Sequence, residues 1–236
     1  MYQPNNYNNY PQNGQGVASL VNSTMKRVYF KMTLALIVTA LTALWASSSA
    51  GYINFLIGHQ WFMWVLVVAE LGFVFTLSGA INKLSNLTAS ALFYLFAIVN
   101  GLMLCTIFLA YSPAAITKTF FITAGTFGAM SVYGYFTSSD LSRVGSFLIM
   151  ALIGLIIASV VNIFLHSSSL DWIISIVGVL IFIGLTAWDT QQVKQMAMMA
   201  PADAASKLAT LGALSLYLDF INLFLYLLRI FGGNRN

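Results

Sequence analysis

Apolar residues arrive along this chain in long blocks, and polar residues are confined mostly to the short gaps between them. Seven blocks can be drawn, at about 32–50, 60–80, 86–110, 114–136, 145–166, 171–190 and 208–231. Runs of about 18 to 25 residues, at 1.5 Å per residue, match a hydrocarbon core of about 30 Å, so the pattern predicts spanning helices and not barrel strands of about ten residues. The breaks are short: Ser47-Ser48-Ser49 with Gly51, Asn82 to Asn86, Ser112-Pro113, Thr137-Ser138-Ser139-Asp140, and His166 to Ser169. The longest connection runs from Gln191 to Lys207, with Pro201 marking a turn. No internal repeat is evident, which argues against an inverted-repeat transporter.

Composition sharpens this into an all-α integral membrane protein. Of 236 residues, 59% are apolar and 7% charged, where a soluble domain carries charge on about a quarter. Residues 1–16, rich in Asn, Gln, Tyr, Pro and Gly, cannot bury enough surface to order themselves. The expected division is a disordered tail over 1–24 and a seven-helix transmembrane domain over 25–236. No cleavable leader is evident around Lys26, Arg27 and Lys31, so the first helix is expected to stay as an anchor. A net charge of +4 without a basic face excludes nucleic acid as a partner, and membrane lipid is the partner expected. Cys105 stands alone, so no intrachain disulfide or cysteine metal cluster can form.

Basic residues near span ends set the expected orientation. Lys26, Arg27, Lys31, Lys83, Arg143, Lys194 and Lys207 fall on one side of seven alternating helices, which puts the N-terminus in the cytoplasm. Arg229 and Arg235 then fall on the far side, against the rule, and leave open a seventh segment that does not cross fully.

Two aspartates lie inside these blocks: Asp189 in IVGVLIFIGLTAWDTQQVK and Asp219 in LSLYLDFINLFLYLLRI. A carboxylate in a bilayer core costs several kcal/mol, so an acid on each of two successive spans points to function. If they meet, both cannot ionise cheaply, and one proton is held between them. Protonated, the pair ties the sixth span to the seventh; doubly ionised, it repels or attracts a hard cation that takes oxygen ligands, held transiently between Asp189 and Asp219. Counted from Lys194 and Lys207, however, their depths differ, at roughly 8 and 18 Å. They reconcile if Ala204 to Gly212 form a lead-in or if the seventh helix is broken. Glu70, in WVLVVAELGFVFTLSGA, reads either as a second stop on an ion path or as a neutral acid hydrogen-bonded across helices.

Asn100, Asn162, Asn222, Ser215 and Tyr217 read as glue between helices, and Gly125 and Gly128 with Ala124 and Ala129 as a face for close packing. His59 and His166 lie far apart in sequence and far from the aspartates, and the Met196-Ala197-Met198-Met199 cluster reads as adaptable packing, so no resident metal site is expected.

The segment ALSLYLDFINLFLYLLRIFG at 213–232, preceded by AWDTQQVK at 187–194, resembles the Bax inhibitor-1 family. That resemblance implies six helices surrounding a central seventh, and a paired-aspartate pH sensor formed by Asp189 and Asp219. It further implies a calcium leak past Asp219 and Glu70, with calcium as cargo and no cofactor. It places the chain in a bacterial inner membrane, or in the endoplasmic reticulum of a eukaryote; the short loops favour the former. Some members carry an arginine at the end of the second span as partner to the aspartates. This chain has Gly79, Ala80, Ile81 and Asn82 there, and Lys83 is the basic latch partner that remains.

Two other functions compete. An intramembrane aspartyl protease also needs one aspartate on each of two spans, but Thr186-Ala187-Trp188-Asp189 and Leu216-Tyr217-Leu218-Asp219 lack the Tyr-Asp and Gly-x-Gly-Asp contexts of that class. A non-conducting regulator would instead bind and restrain a membrane-protein partner such as a membrane protease, with the tail as the contact.

Overall fold

A computed structural model describes residues 14–201 and 204–233. In chain order the helices are α1 (Gly14–Ser48), α2 (Ala50–Gly58), α3 (Trp61–Ala80), α4 (Asn86–Leu104), α5 (Ile107–Ala110), α6 (Pro113–Phe136), α7 (Ser142–Leu165), α8 (Ser168–Met199) and α9 (Ala205–Phe231), with a 3₁₀ turn over Ile81–Lys83. The described residues contain no strand. Among the described residues six helical segments are long and apolar enough to cross a membrane; α6 has 24 residues but dilutes its apolar run with Thr117, Lys118, Thr119, Thr123 and Thr126. Seven long helices therefore stand where seven blocks predict them.

The breaks are made by capping side chains that satisfy the free N–H groups of a helix start. Ser49, Ser85, Ser112 and Ser167 each accept from the backbone three residues on, and Pro113 follows Ser112 in the first turn, where its missing N–H costs nothing. At the other end of α7, His166 adopts φ 48° and closes the helix in a left-handed conformation.

The central position of the seventh span is plain from burial. Of the most apolar stretch of α9, 67% is buried inside the protein, against 6% for α7. Helices α1, α4, α6 and α8 pack on α9 directly, while α3 leans on α4 and α7 on α8.

Several boundaries move. Helix α1 begins at Gly14, so the division expected at 24/25 is corrected: Val21, Thr24 and Met25 are buried against the bundle and extend the helix through the polar start. Residues 1–13, and the disorder expected there, lie outside the described residues, as does Asp203. The third block divides at Cys105 and Thr106 into α4 and α5. Helix α8 runs on to Met199, so the long connection expected after Gln191 shrinks to a few residues around Pro201.

That extension also narrows the mismatch in depth. Asp189 stands ten residues before the end of α8 and Asp219 fourteen after the start of α9, about 15 and 21 Å along antiparallel helices. Helix α9 is unbroken. At its far end Arg229 pairs with Asp171 at the start of α8, N···O 3.4 Å, which accounts for basic charge away from the basic end. The seventh segment therefore runs the full length of the bundle.

Candidate functional site

Three helices fix the position of Asp189. Just before it, Ala187 and Trp188 lie so close to α6 and α7 that a Cβ at Gly134 would overlap the Ala187 carbonyl and one at Gly145 the Trp188 ring. Just after it, Gln191 clamps the loop between α6 and α7, accepting from Leu141 N at 2.9 Å and donating to Ser139 O at 2.8 Å. One turn on, Lys194 Nζ donates to Tyr135 O at 2.6 Å and satisfies a carbonyl at the end of α6. The conspicuous AWDTQQVK motif is thus a clamp holding α6, α7 and α8 as one unit around the aspartate.

Against that unit lies Asp219 of α9, 4% exposed. Its carboxyl meets that of Asp189 across the α8–α9 interface. Asp219 Oδ2 is buried and faces no hydrogen-bond donor, as is the hydroxyl of Thr190. An ionised carboxylate only accepts, so between two such groups a donor exists only if one of them carries a proton. Buried polar atoms left unpaired cost about 1–3 kcal/mol each, so this oxygen is expensive to bury as it stands.

Lys83, the basic partner expected, is not brought to this pair. It is exposed on the 3₁₀ turn and makes no ion pair or hydrogen bond among the described residues, because the turn directs it away from the bundle. The basic group that does reach α9 is Lys31, whose Nζ donates to Ser90 at 2.6 Å and Thr210 at 2.7 Å. Lys207 Nζ reaches Asn82 O instead, at 3.2 Å.

Glu70 belongs to a different place. Asn100 Nδ2 donates to Glu70 Oε1 at 2.8 Å; Tyr217 OH donates to Asn100 Oδ1 at 3.0 Å and lies 2.6 Å from Thr39 Oγ1, which donates to Ala97 O at 2.9 Å. This chain joins α3, α4, α9 and α1. Tyr217 and Asp219 are two residues apart, about 200° around the helix, so they serve opposite faces of α9. In the arrangement just given, two hydroxyl protons serve three contacts. With Glu70 neutral and the Asn100 amide turned over, every contact is matched: Glu70 to Asn100, Asn100 to Tyr217, Tyr217 to Thr39, Thr39 to Ala97 O.

Of the asparagines expected to join helices, only Asn100 does. Asn222 bonds back to Leu218 O on its own helix, and Asn162 receives Ser167 N at the end of α7. Gly125 and Gly128 are corrected as well, since a Cβ at either meets nothing within 4 Å. Among the described residues no group of three His, Cys, Asp or Glu is placed to hold a metal ion.

Fold and site together define a multi-pass helical membrane protein built around an acid pair, Asp219 buried and Asp189 partly so. The chain matches the family model described as "Inhibitor of apoptosis-promoting Bax1" over residues 21–236. It is 48% identical over 214 residues to the inner membrane protein YbhL of Escherichia coli, covering 89% of this chain and 92% of that protein. It is 45% identical over 217 residues to an uncharacterized protein of Borreliella burgdorferi, covering 91% and 94%. An uncharacterized membrane protein of Streptococcus pyogenes is 38% identical over 182 residues, covering 77% and 79%. The chain belongs to the Bax inhibitor-1 family.

Proposed function

We propose that the chain is a pH-sensitive cation leak, chiefly for calcium, in a bacterial inner membrane with its N-terminus cytoplasmic. Asp189 and Asp219 form its gate. The observation that carries this reading is the meeting of two carboxyls on the buried face of the central helix, with no basic side chain paired to either among the described residues. With one proton shared, a charge-assisted O–H···O⁻ bond ties α9 to the clamped α8. As pH rises that proton is lost, two anions face each other in a dry interface, and their repulsion loosens α9. The freed oxygens then take a hard cation in transit, and Glu70, at the opposite face of α9, becomes a second acidic stop once its bond to Asn100 opens and its proton is lost. Flux therefore increases with pH, by at most about tenfold per pH unit for one linked proton. Calcium flux in proteoliposomes tests this. Asp219→Asn is expected to flatten the pH dependence, and an unchanged profile removes the gate.

The family model's description as an inhibitor favours a second reading, in which the protein conducts nothing and restrains a membrane-protein partner. Removing residues 1–12, which stop short of α1, separates the two. A regulator acting through that segment loses its effect, while the leak persists.

A further inference from the structure

Along one flank of the bundle, α1 and α6 leave a cleft of about 660 Å³, lined among others by Met25, Lys26, Phe127, Gly128, Ser131 and Tyr135. It joins a second cleft of about 350 Å³ that shares Asn22 and Tyr135 with the first and reaches Lys194. The Tyr135 hydroxyl, donating to Asn22 Oδ1 at 2.7 Å, bridges α1 and α6 where the two clefts meet.

Three observations describe what the space accepts. No acidic residue lines either cleft, and neither Lys26 nor Lys194 pairs with a carboxylate among the described residues. Ser131 is 5% exposed, yet its hydroxyl has no hydrogen-bond partner. Gly128 is open where a side chain would fill the groove. The neighbouring surface, Phe30, Val132 and Phe136, is apolar and exposed on helices that span the bilayer, so the surrounding medium is lipid.

We propose that this cleft is a binding site for an anionic phospholipid. Its phosphate lies at the basic mouth by Lys26, an ester carbonyl accepts from Ser131, and one acyl chain fills the groove that Gly128 leaves open. The small residues of α6 thus serve close packing against lipid and not against another helix of this chain. This site is separate from the aspartate pair and holds or fails independently of the leak.

The test uses the full-length protein, depleted of lipid in detergent and incubated with phosphatidylglycerol or phosphatidylcholine of the same acyl chains. Bound lipid is counted by native mass spectrometry. Wild type is expected to prefer phosphatidylglycerol, and Lys26→Gln to reduce that preference about fivefold, the worth of one basic residue near an anionic headgroup. Gly128→Leu should lose both lipids, whereas Gly125→Leu, which also meets open space but does not line the cleft, should retain them. An undiminished preference in Lys26→Gln, or equal retention by Gly128→Leu and Gly125→Leu, overturns the site. Lys26 is an exposed residue of α1, so its variant tests the proposal even if Gly128→Leu does not fold.

Discussion

Towards α8, the central helix presents Asp219, a buried acid facing another acid with one oxygen short of a donor. Towards α4 and α1, two residues earlier, it presents Tyr217, fully buried and hydrogen-bonded on both sides. Both faces are polar surfaces in a lipid-embedded bundle, and they solve the problem of burial differently. The tyrosine face, with the single acid Glu70 neutral at its edge and the Asn100 amide turned over, closes its hydrogen bonds within the protein and sets no acid against another. The aspartate face, on the proposed reading, closes only when a proton is taken from solution. A surface of the first kind fixes a helix; one of the second kind makes the fixing depend on pH.

The sharpest way to break this contrast is to remove the acids in turn. Asp189→Asn and Asp219→Asn are each expected to abolish the pH dependence of calcium flux, and the double variant to add nothing further, because one shared proton is lost in every case. Flux in proteoliposomes across a pH series reads this directly. Additive effects would mean two separately titrating groups and no pair.

The next largest effect belongs to the opposite face. Tyr217→Phe strips a buried hydroxyl and breaks its contacts to Asn100 and Thr39, which keep only their bonds to Glu70 and Ala97 O, at about 1–3 kcal/mol for the buried polar capacity left unmet. The variant should melt earlier in detergent while its leak keeps the wild-type slope with pH. Loss of that slope would show that the two faces act as one.

These two faces were unequally legible in the sequence. The aspartates stood out because charge inside an apolar run is conspicuous, and their positions on successive spans raised a partnership without deciding it. Their depths did not agree, since hydropathy falls at Gln191 while the helix continues to Met199. A polar helix outside the bilayer has no apolar run to mark it. Tyr217 read as one more polar residue in a span, because its partners Thr39 and Asn100 lie 178 and 117 positions away and only the fold brings them together. Lys83 seemed the natural cation because it follows the place where some family members carry an arginine, but the direction of a 3₁₀ turn is not written in its composition. Gly125 and Gly128 read as a packing face by residue type, and type alone does not name the neighbour.

Glu70→Gln sharpens the comparison with a smaller effect. The glutamine amide can still bond Asn100, so the tyrosine face stays closed and the melting temperature should hold within about 1 kcal/mol of stability. Flux should fall because an acidic stop is gone, and its slope with pH should persist because the aspartates are untouched. A lower melting temperature with unchanged flux would assign Glu70 to structure alone.

Asp140 belongs to neither face and supplies the smallest expected effect. It lies in the loop between α6 and α7, where the Ser142 hydroxyl and backbone N–H hydrogen-bond its carboxylate and hold it below the usual range; Ser142 N donates to Oδ1 at 2.9 Å. A lowered value in the folded state gives stability that is present above the unfolded value of about 3.9 and is lost as pH falls through the folded one. Asp140→Asn should therefore melt slightly below wild type at neutral pH, with the difference vanishing in acid. Because the loop is exposed and Gln191 holds it from the other side, the change should not reach Asp189, and the pH profile of the leak should match wild type. If Asp140→Asn does shift that profile, the clamp around Asp189 transmits charge from the loop, and the pH sensor extends beyond the two buried acids.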